Sequence, residues 1–209
     1  MRHRPIASTT LMLALCAGCS ATGIHRKHDL RIHGGTNVPA SDVVEGMTTD
    51  EGDSRTWGIE YIYSFGREKL GFEIGSFQSF TDGSGTNTLP GFGLGNAEVE
   101  KVMNDLHAGL NYPIARFWGL ESDFGLGLAY LDTSIKSDIT GGSNLRFEDE
   151  GVGAYVKFAS MAPITDSFGL GLDLRYLAAF NDFEDTQEGV TIDADLSQWQ
   201  LTLFLALTW

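Results

Sequence analysis

The sequence predicts an all-β protein, an eight-stranded antiparallel up-and-down transmembrane β-barrel, on three observations. Segment after segment from residue 55 onward alternates large apolar residues with polar or small ones, which puts the two kinds on opposite faces of a strand. The connections between these segments alternate between short turns and long Gly-, Ser-, Asp- and Thr-rich stretches, with turns at one barrel end and loops at the other. No segment after the first twenty residues has the roughly 18 consecutive apolar residues of a helical span.

The N-terminal element stands apart from that pattern. Arg2 and Arg4 precede an apolar run from Ile6 to Leu15 and then Cys16-Ala17-Gly18-Cys19, the order of charge, apolar core and small residues in an export signal. The run falls short of the roughly 20 residues that span hydrocarbon as a helix, so residues 1–18 are expected to be cleaved off. Ala17-Gly18-Cys19 resembles the bacterial lipobox, in which a peptidase cuts before the cysteine and that cysteine is acylated. Cys16 stands where the motif usually has Leu, and Ser20 in place of Asp implies sorting to the outer membrane. Cys19 is therefore the expected lipidation site and residues 19–27 a lipidated tether. Cleavage there leaves one cysteine and no disulfide.

The barrel domain is expected over residues 28–209. Its first strand, around His28 to Val38, has Leu30 and Ile32 alternating with Arg31 and His33. It is a weak strand, required mainly because both chain ends must lie on one side and because closure removes edges that lipid cannot satisfy. Better alternation follows in Trp57, Ile59, Tyr61, Tyr63 and Phe65, then in Leu70, Phe72 and Ile74, and in Leu106, Ala108, Leu110 and Tyr112. Phe124, Leu126, Leu128 and Tyr130 form the next strand, Val152, Ala154, Val156 and Phe158 another, and Phe168 to Phe180 the seventh. The last runs through Trp199, Leu201, Leu203, Leu205, Leu207 and Trp209. Short turns are expected at Gly66–Lys69, Pro113–Arg116 and Pro163–Asp166, and long loops at about 82–97, 133–146 and 182–193.

With those features the chain resembles the eight-stranded outer-membrane barrels of the OmpA/OmpX type. The series Leu201, Leu203, Leu205, Leu207, Trp209 is similar to the C-terminal assembly signal of such proteins, with Trp where Phe is commoner. The resemblance implies an outer-membrane protein with a periplasmic N-terminus, delivered by the barrel-assembly machinery and surrounded by outer-membrane lipid and lipopolysaccharide.

Charge narrows the partners. Removing residues 1–18 leaves 12 Lys and Arg against 28 Asp and Glu, a formal charge of −16, which excludes nucleic acid, whose binding depends on neutralising phosphates with basic residues. Acidic residues gather in the expected loops: Asp42, Glu45, Asp50, Glu51 and Asp53, then Glu148, Asp149 and Glu150, then Asp182, Glu184, Asp185 and Glu188. They offer oxygen ligands to divalent cations but match no EF-hand spacing. No catalytic constellation, metal site or cofactor is expected, and Gly91-Phe92-Gly93-Leu94-Gly95 lacks the strand-to-helix context of a phosphate loop.

Strand parity points to the interior as the informative region. With the apolar faces outward, Glu60, Glu73, Asp105, His107, Glu121, Asp123, Lys157, Asp173 and Arg175 all point inward in one band. Lone charges there are costly, so Lys157 and Arg175 are expected to pair with the carboxylates. The excess of acids must be protonated, hydrated or bound to a cation. An eight-stranded barrel is narrow enough for side chains to fill, so the expected role is structural or surface-interacting, without enzymatic activity. A narrow channel or small-molecule carrier is the first alternative. A lipid A-modifying enzyme built on His107 is the second, although no Ser-His-acid spacing accompanies that residue.

Intact-mass analysis of the exported chain is expected to find cleavage before Cys19 and acyl chains on it. An unmodified residue there, or cleavage elsewhere, rejects the anchor.

Overall fold

The computed structural model describes residues 27–39, 47–65, 70–87, 95–117, 119–139, 144–181, 183–187 and 190–209. The export signal, Cys19 and all but the last residue of the 19–27 tether lie outside the described residues. Eight strands close into one antiparallel barrel: β1 (Lys27–Pro39), β2 (Met47–Phe65), β3 (Leu70–Asn87), β4 (Gly95–Phe117), β5 (Leu120–Ile139), β6 (Asn144–Thr165), β7 (Phe168–Ala179) and β10 (Gln198–Thr208). Between β7 and β10, β8 (Phe183–Gln187) and β9 (Val190–Ala194) form a separate hairpin. Each barrel strand pairs with its predecessor, and β10 returns to pair β1 from Asp29↔Thr208 to Pro39↔Gln198. His28 and Trp209 seal the seam at its end, each N–H donating to the other's carbonyl at 3.0 Å. The architecture is the all-β, eight-stranded up-and-down barrel expected from the alternation.

The weak first strand forms in full because β10 and β2 dictate its pairing on both sides, although its own outward face is broken at Gly34 and Thr36. Several expected connections are instead strand. Residues 82–87 continue β3, 95–97 begin β4, 133–139 extend β5, and 144–146 begin β6. The 182–193 stretch contains the β8–β9 hairpin rather than irregular loop. Pro113–Arg116 and Pro163 lie inside β4 and β6, where the register shifts at Pro113/Ala115 and Pro163/Thr165. A proline removes one ladder donor, and a bulge absorbs that loss without ending the strand. The β4–β5 turn comes later, at Gly119, whose φ of 83° favours glycine.

Two storeys of opposite polarity are stacked along the barrel. In the turn-end storey the outward residues are apolar: Leu120, Phe124, Leu126, Leu128 and Tyr130 on β5, and Leu201, Leu203, Leu205 and Leu207 on β10 are all exposed. From Leu120 to Tyr130, at about 3.3 Å per residue and a tilt of roughly 40°, the belt is about 25 Å tall. Aromatic residues gather toward its two ends, with Trp57, Tyr130, Tyr176 and Trp199 toward the loop end and Phe65, Tyr112, Phe124 and Trp209 toward the turn end. Past Tyr130 the outward residues of β5 become Asp132, Lys136 and Asp138, and past Val152 those of β6 become Glu150, Glu148 and Arg146. The inward face inverts at the same level. Leu131, Ile135, Leu145, Phe147, Val99, Met103, Leu177 and Leu196 pack there as a buried apolar cluster.

The boundary between storeys is testable on one strand. Leu126→Arg, in the belt, is expected to cost about 2–4 kcal/mol in a bilayer. Asp132→Lys, outward and beyond Tyr130, is expected to change stability by no more than about 0.5 kcal/mol. Urea midpoints of both variants in lipid vesicles check the pair.

Candidate functional site

The chemistry of the molecule is concentrated inside the turn-end storey, where all eight barrel strands turn polar side chains inward. Glu60, Glu73, Asp105, His107, Asp123, Lys157, Asp173 and Arg175 are all buried, none more than 7 % exposed. Glu121 shares their parity but sits half-buried at the turn end, below Asp123. Alternation fixes these positions: an outward apolar belt at every second residue leaves the polar residues between no direction but inward.

The charges meet across the lumen rather than along its wall. Lys157 on β6 donates to Glu60 Oε1 on β2, four strands away round the ring, and lies 2.8 Å from Glu73 Oε2 on β3. Arg31 on β1 holds Asp123 on β5, also four strands away, with Nη2 to Oδ2 at 2.6 Å and Nη1 to Oδ1 at 3.3 Å. Arg175 on β7 forks onto Asp105 on β4, at 2.9 and 3.1 Å. These bidentate geometries are the strong form of the ion pair. Neutral groups complete the web. Asn111 donates to Glu73 at 3.1 Å and Asp123 at 2.7 Å, Tyr155 donates to Glu73 at 2.6 Å, and Gln200 accepts from Arg175 at 3.1 Å.

Aromatic rings fill the space the charges leave. The Arg175 guanidinium lies between Phe77 and Tyr155, 4.9 and 4.6 Å from their centroids, and Arg31 lies 4.7 Å over Phe204. Glycine makes the room. A Cβ at Gly125 would stand 2.5 Å from Lys157 Cε, and one at Gly171 would stand 2.2 Å from Phe204 Cζ. Above the web, the apolar cluster from Val99 to Leu196 covers its loop end.

His107 is 1 % exposed, with Nδ1 3.1 Å from Asp105 Oδ1 and Nε2 3.4 Å from Glu60 Oε1. Its ring bridges two carboxylates, and no hydroxyl nucleophile is among its described partners. Leu201, Leu203, Leu205, Leu207 and Trp209 line the outer face of β10. Of the acidic loop residues, Asp42, Glu45, Asp182 and Glu188 lie outside the described residues. Glu148 pairs with Arg146 at 2.6 Å, and Asp149 accepts from the Glu150 N–H at 2.8 Å.

Arg31 and His33 are the functional side chains that sequence reasoning left out. The signal was present, because both alternate with Leu30 and Ile32, but the strand's broken apolar face concealed that its parity is as strict as the others. Tyr155 and Asn111 carried a weaker signal, since either residue type also suits an outward girdle or a turn.

No family model matches the chain, and no curated protein matches it in sequence. Solved structures do. OprG, an outer membrane protein from Pseudomonas aeruginosa, superposes with a TM-score of 0.60 at 15 % identity, covering 88 % of this chain and 97 % of that one. A major outer membrane protein from Thermus thermophilus gives 0.62 at 13 % identity, covering 88 % and 100 %. The chain thus has the fold of small outer-membrane β-barrels.

Removing one end of a cross-lumen pair leaves the other end buried and uncompensated. Arg175→Met is expected to destabilise the barrel by about 3–5 kcal/mol. Adding Asp105→Asn is expected to recover part of that loss, with a coupling of about 0.5–3 kcal/mol in a double-mutant cycle of urea midpoints.

Proposed function

We propose that this chain is an outer-membrane lipoprotein barrel, anchored through Cys19, that is closed to solutes and has a structural or surface-interaction role. The single observation that carries the reading is the filled lumen. Three buried cations span the ring to carboxylates on distant strands, and a buried apolar cluster covers them. A solute path needs a continuous wet track, which this filling does not leave in the turn-end storey. The apolar belt supports placement in a bilayer, since exposed apolar surface of that extent is incompatible with a water-soluble surface. Delivery by the barrel-assembly machinery is supported by the aromatic-terminated outer face of β10.

The enzymatic reading finds no support in the site. A lipid A-modifying residue must reach the outer leaflet at the belt's edge, whereas His107 is enclosed by Asp105, Glu60, Phe77 and Tyr155. The surface left for function is the polar outer wall of the loop-end storey, where Lys136 pairs with Glu100 at 2.8 Å. That wall suits contact with other surface molecules and with cation-bridged lipopolysaccharide.

The reading is tested by reconstituting the full-length protein in planar bilayers. Wild type is expected to give no stepwise conductance above the lipid baseline, and Arg175→Met to introduce a small water-filled conductance. Steady wild-type channels would overturn the closed-barrel reading in favour of a narrow channel.

A further inference from the structure

One part of the interior web lacks the donors that the rest possesses. Asp173 on β7 is buried, yet neither carboxylate oxygen has a hydrogen-bond partner among the described residues. Glu60 Oε2 and His33 Nε2 are likewise buried and without a partner. These orphans are neighbours: His33 Nε2 is 3.9 Å from Glu60 Oε2, and His33 Nδ1 is 3.9 Å from Asp173 Oδ2. One ligand atom from each of the three residues lies within 4.8 Å of the others. Buried acceptors facing one another with no donor between them are costly unless a positive charge joins them.

We propose that His33, Glu60 and Asp173 form an internal binding site for one divalent transition ion of the zinc and cobalt class. The donor set, one imidazole and two carboxylates, suits a borderline ion better than Ca²⁺ or Mg²⁺, which prefer all-oxygen shells. Such an ion holds nitrogen and oxygen at about 2.0–2.2 Å, which sets flanking ligand atoms about 3–4 Å apart. The 3.9 Å from His33 Nε2 to Glu60 Oε2 is of that size. Thr202 on β10 supplies the outer contact, with its Oγ1 3.1 Å from His33 Nδ1. An Nδ1–H donating there leaves the Nε2 lone pair for the ion, the usual arrangement of a metal-binding histidine.

Charge balance asks for the same occupant. Asp29, Glu60, Glu73, Asp105, Asp123 and Asp173 are buried in this storey against Arg31, Lys157 and Arg175, an excess of three carboxylates. The neighbouring cations leave Glu60 Oε2 and both Asp173 oxygens without a donor. Lys157 serves Glu60 Oε1 and Glu73, and Arg175 serves Asp105. Arg31 serves Asp123 and stands 3.8 Å from Glu60 Oε2, beyond hydrogen-bond length. The three ligands come from β1, β2 and β7, and Thr202 from β10 between β1 and β7. The ion would therefore bind across the closing seam. No motif spacing reveals such a set, since its members lie far apart in sequence. The inference rests on the barrel geometry and not on the closed-lumen role, so its test needs no bilayer.

The test refolds the full-length barrel in detergent with Zn²⁺ or Co²⁺, removes free ion with EDTA, and measures bound metal and urea midpoint. Wild type is expected to retain about one ion per chain, to show the visible absorption of low-symmetry Co²⁺, and to have a raised midpoint. Asp173→Asn and His33→Gln, checked for folding by heat-modifiable gel mobility, are expected to lose the ion. Thr202→Val is expected to weaken binding roughly 10- to 100-fold. No bound ion and no midpoint shift in wild type would overturn the proposal, leaving a shared proton or water between the orphans. Retention of the ion by folded Asp173→Asn would also overturn it by placing the metal on the acidic outer wall, as would equal retention of Ca²⁺.

Discussion

β1 is paired with β2 on one side and β10 on the other, and this last pairing converts a sheet with two raw edges into a ring. In hydrocarbon an open edge presents N–H and C=O groups that nothing can satisfy, so closure is a condition for the belt to meet lipid at all. The interior depends on the same seam. Arg31 reaches Asp123 and Lys157 reaches Glu60 each over half the circumference, and such spans exist only when the ring is shut. Backbone closure and the cross-lumen struts are therefore coupled. Each strut holds opposite walls at the separation its side chain allows, and the closed wall keeps each strut dry.

The inversion of polarity along β4, β5 and β6 is the pattern that a change of solvent partway up the same strands would select. At the level of Leu126 the outward residue is apolar and the inward neighbours Gly125 and Gly127 leave space for Lys157 and Tyr155. At the level of Lys136 the outward residue is charged and inward Ile135 is fully buried. One uninterrupted ladder carries both patterns. Where the outer wall is polar the core is greasy, as in any water-soluble barrel. Where the apolar belt surrounds it the core is polar.

This inversion also explains which parts of the fold were legible. Alternation with large apolar residues at every second position marked the belt, and so identified every barrel strand but β1, which closure supplied, and the parity of Glu60, Glu73, Asp105, Asp123, Asp173 and Arg175. The loop-end extensions escaped because their apolar residues switch to the other parity. Val99, Met103 and Ile135 look like noise among charged and polar neighbours until the switch is seen. Pro113 and Pro163 were misleading for a different reason, since a bulge hides a proline within a continuing strand. Arg31 and His33 were readable in principle, but pairing across the lumen depends on strand height and ring position, which periodicity alone does not supply. The His33–Glu60–Asp173 grouping was beyond sequence altogether.

Stability does not account for the charged interior, because well-packed aliphatic residues of similar volume would be at least as favourable to bury as ion pairs. Register does. A strand with an apolar outer face and an apolar inner face gains almost the same burial when it slips by one residue, so its pairing would be poorly specified. With charges inside, a one-residue slip of β1 turns Arg31 and His33 toward the belt and brings Leu30 and Ile32 inward. Each charge so exposed to hydrocarbon near the midplane costs about 2–4 kcal/mol, and its carboxylate partner is left stranded in the lumen. The penalty is needed most where the outer face is least informative. That place is β1, whose Gly34 and Thr36 offer lipid little to discriminate. Arg31 reaches across to Asp123 from this strand, so the residue that fixes the register of the weakest strand is also one that fills the lumen.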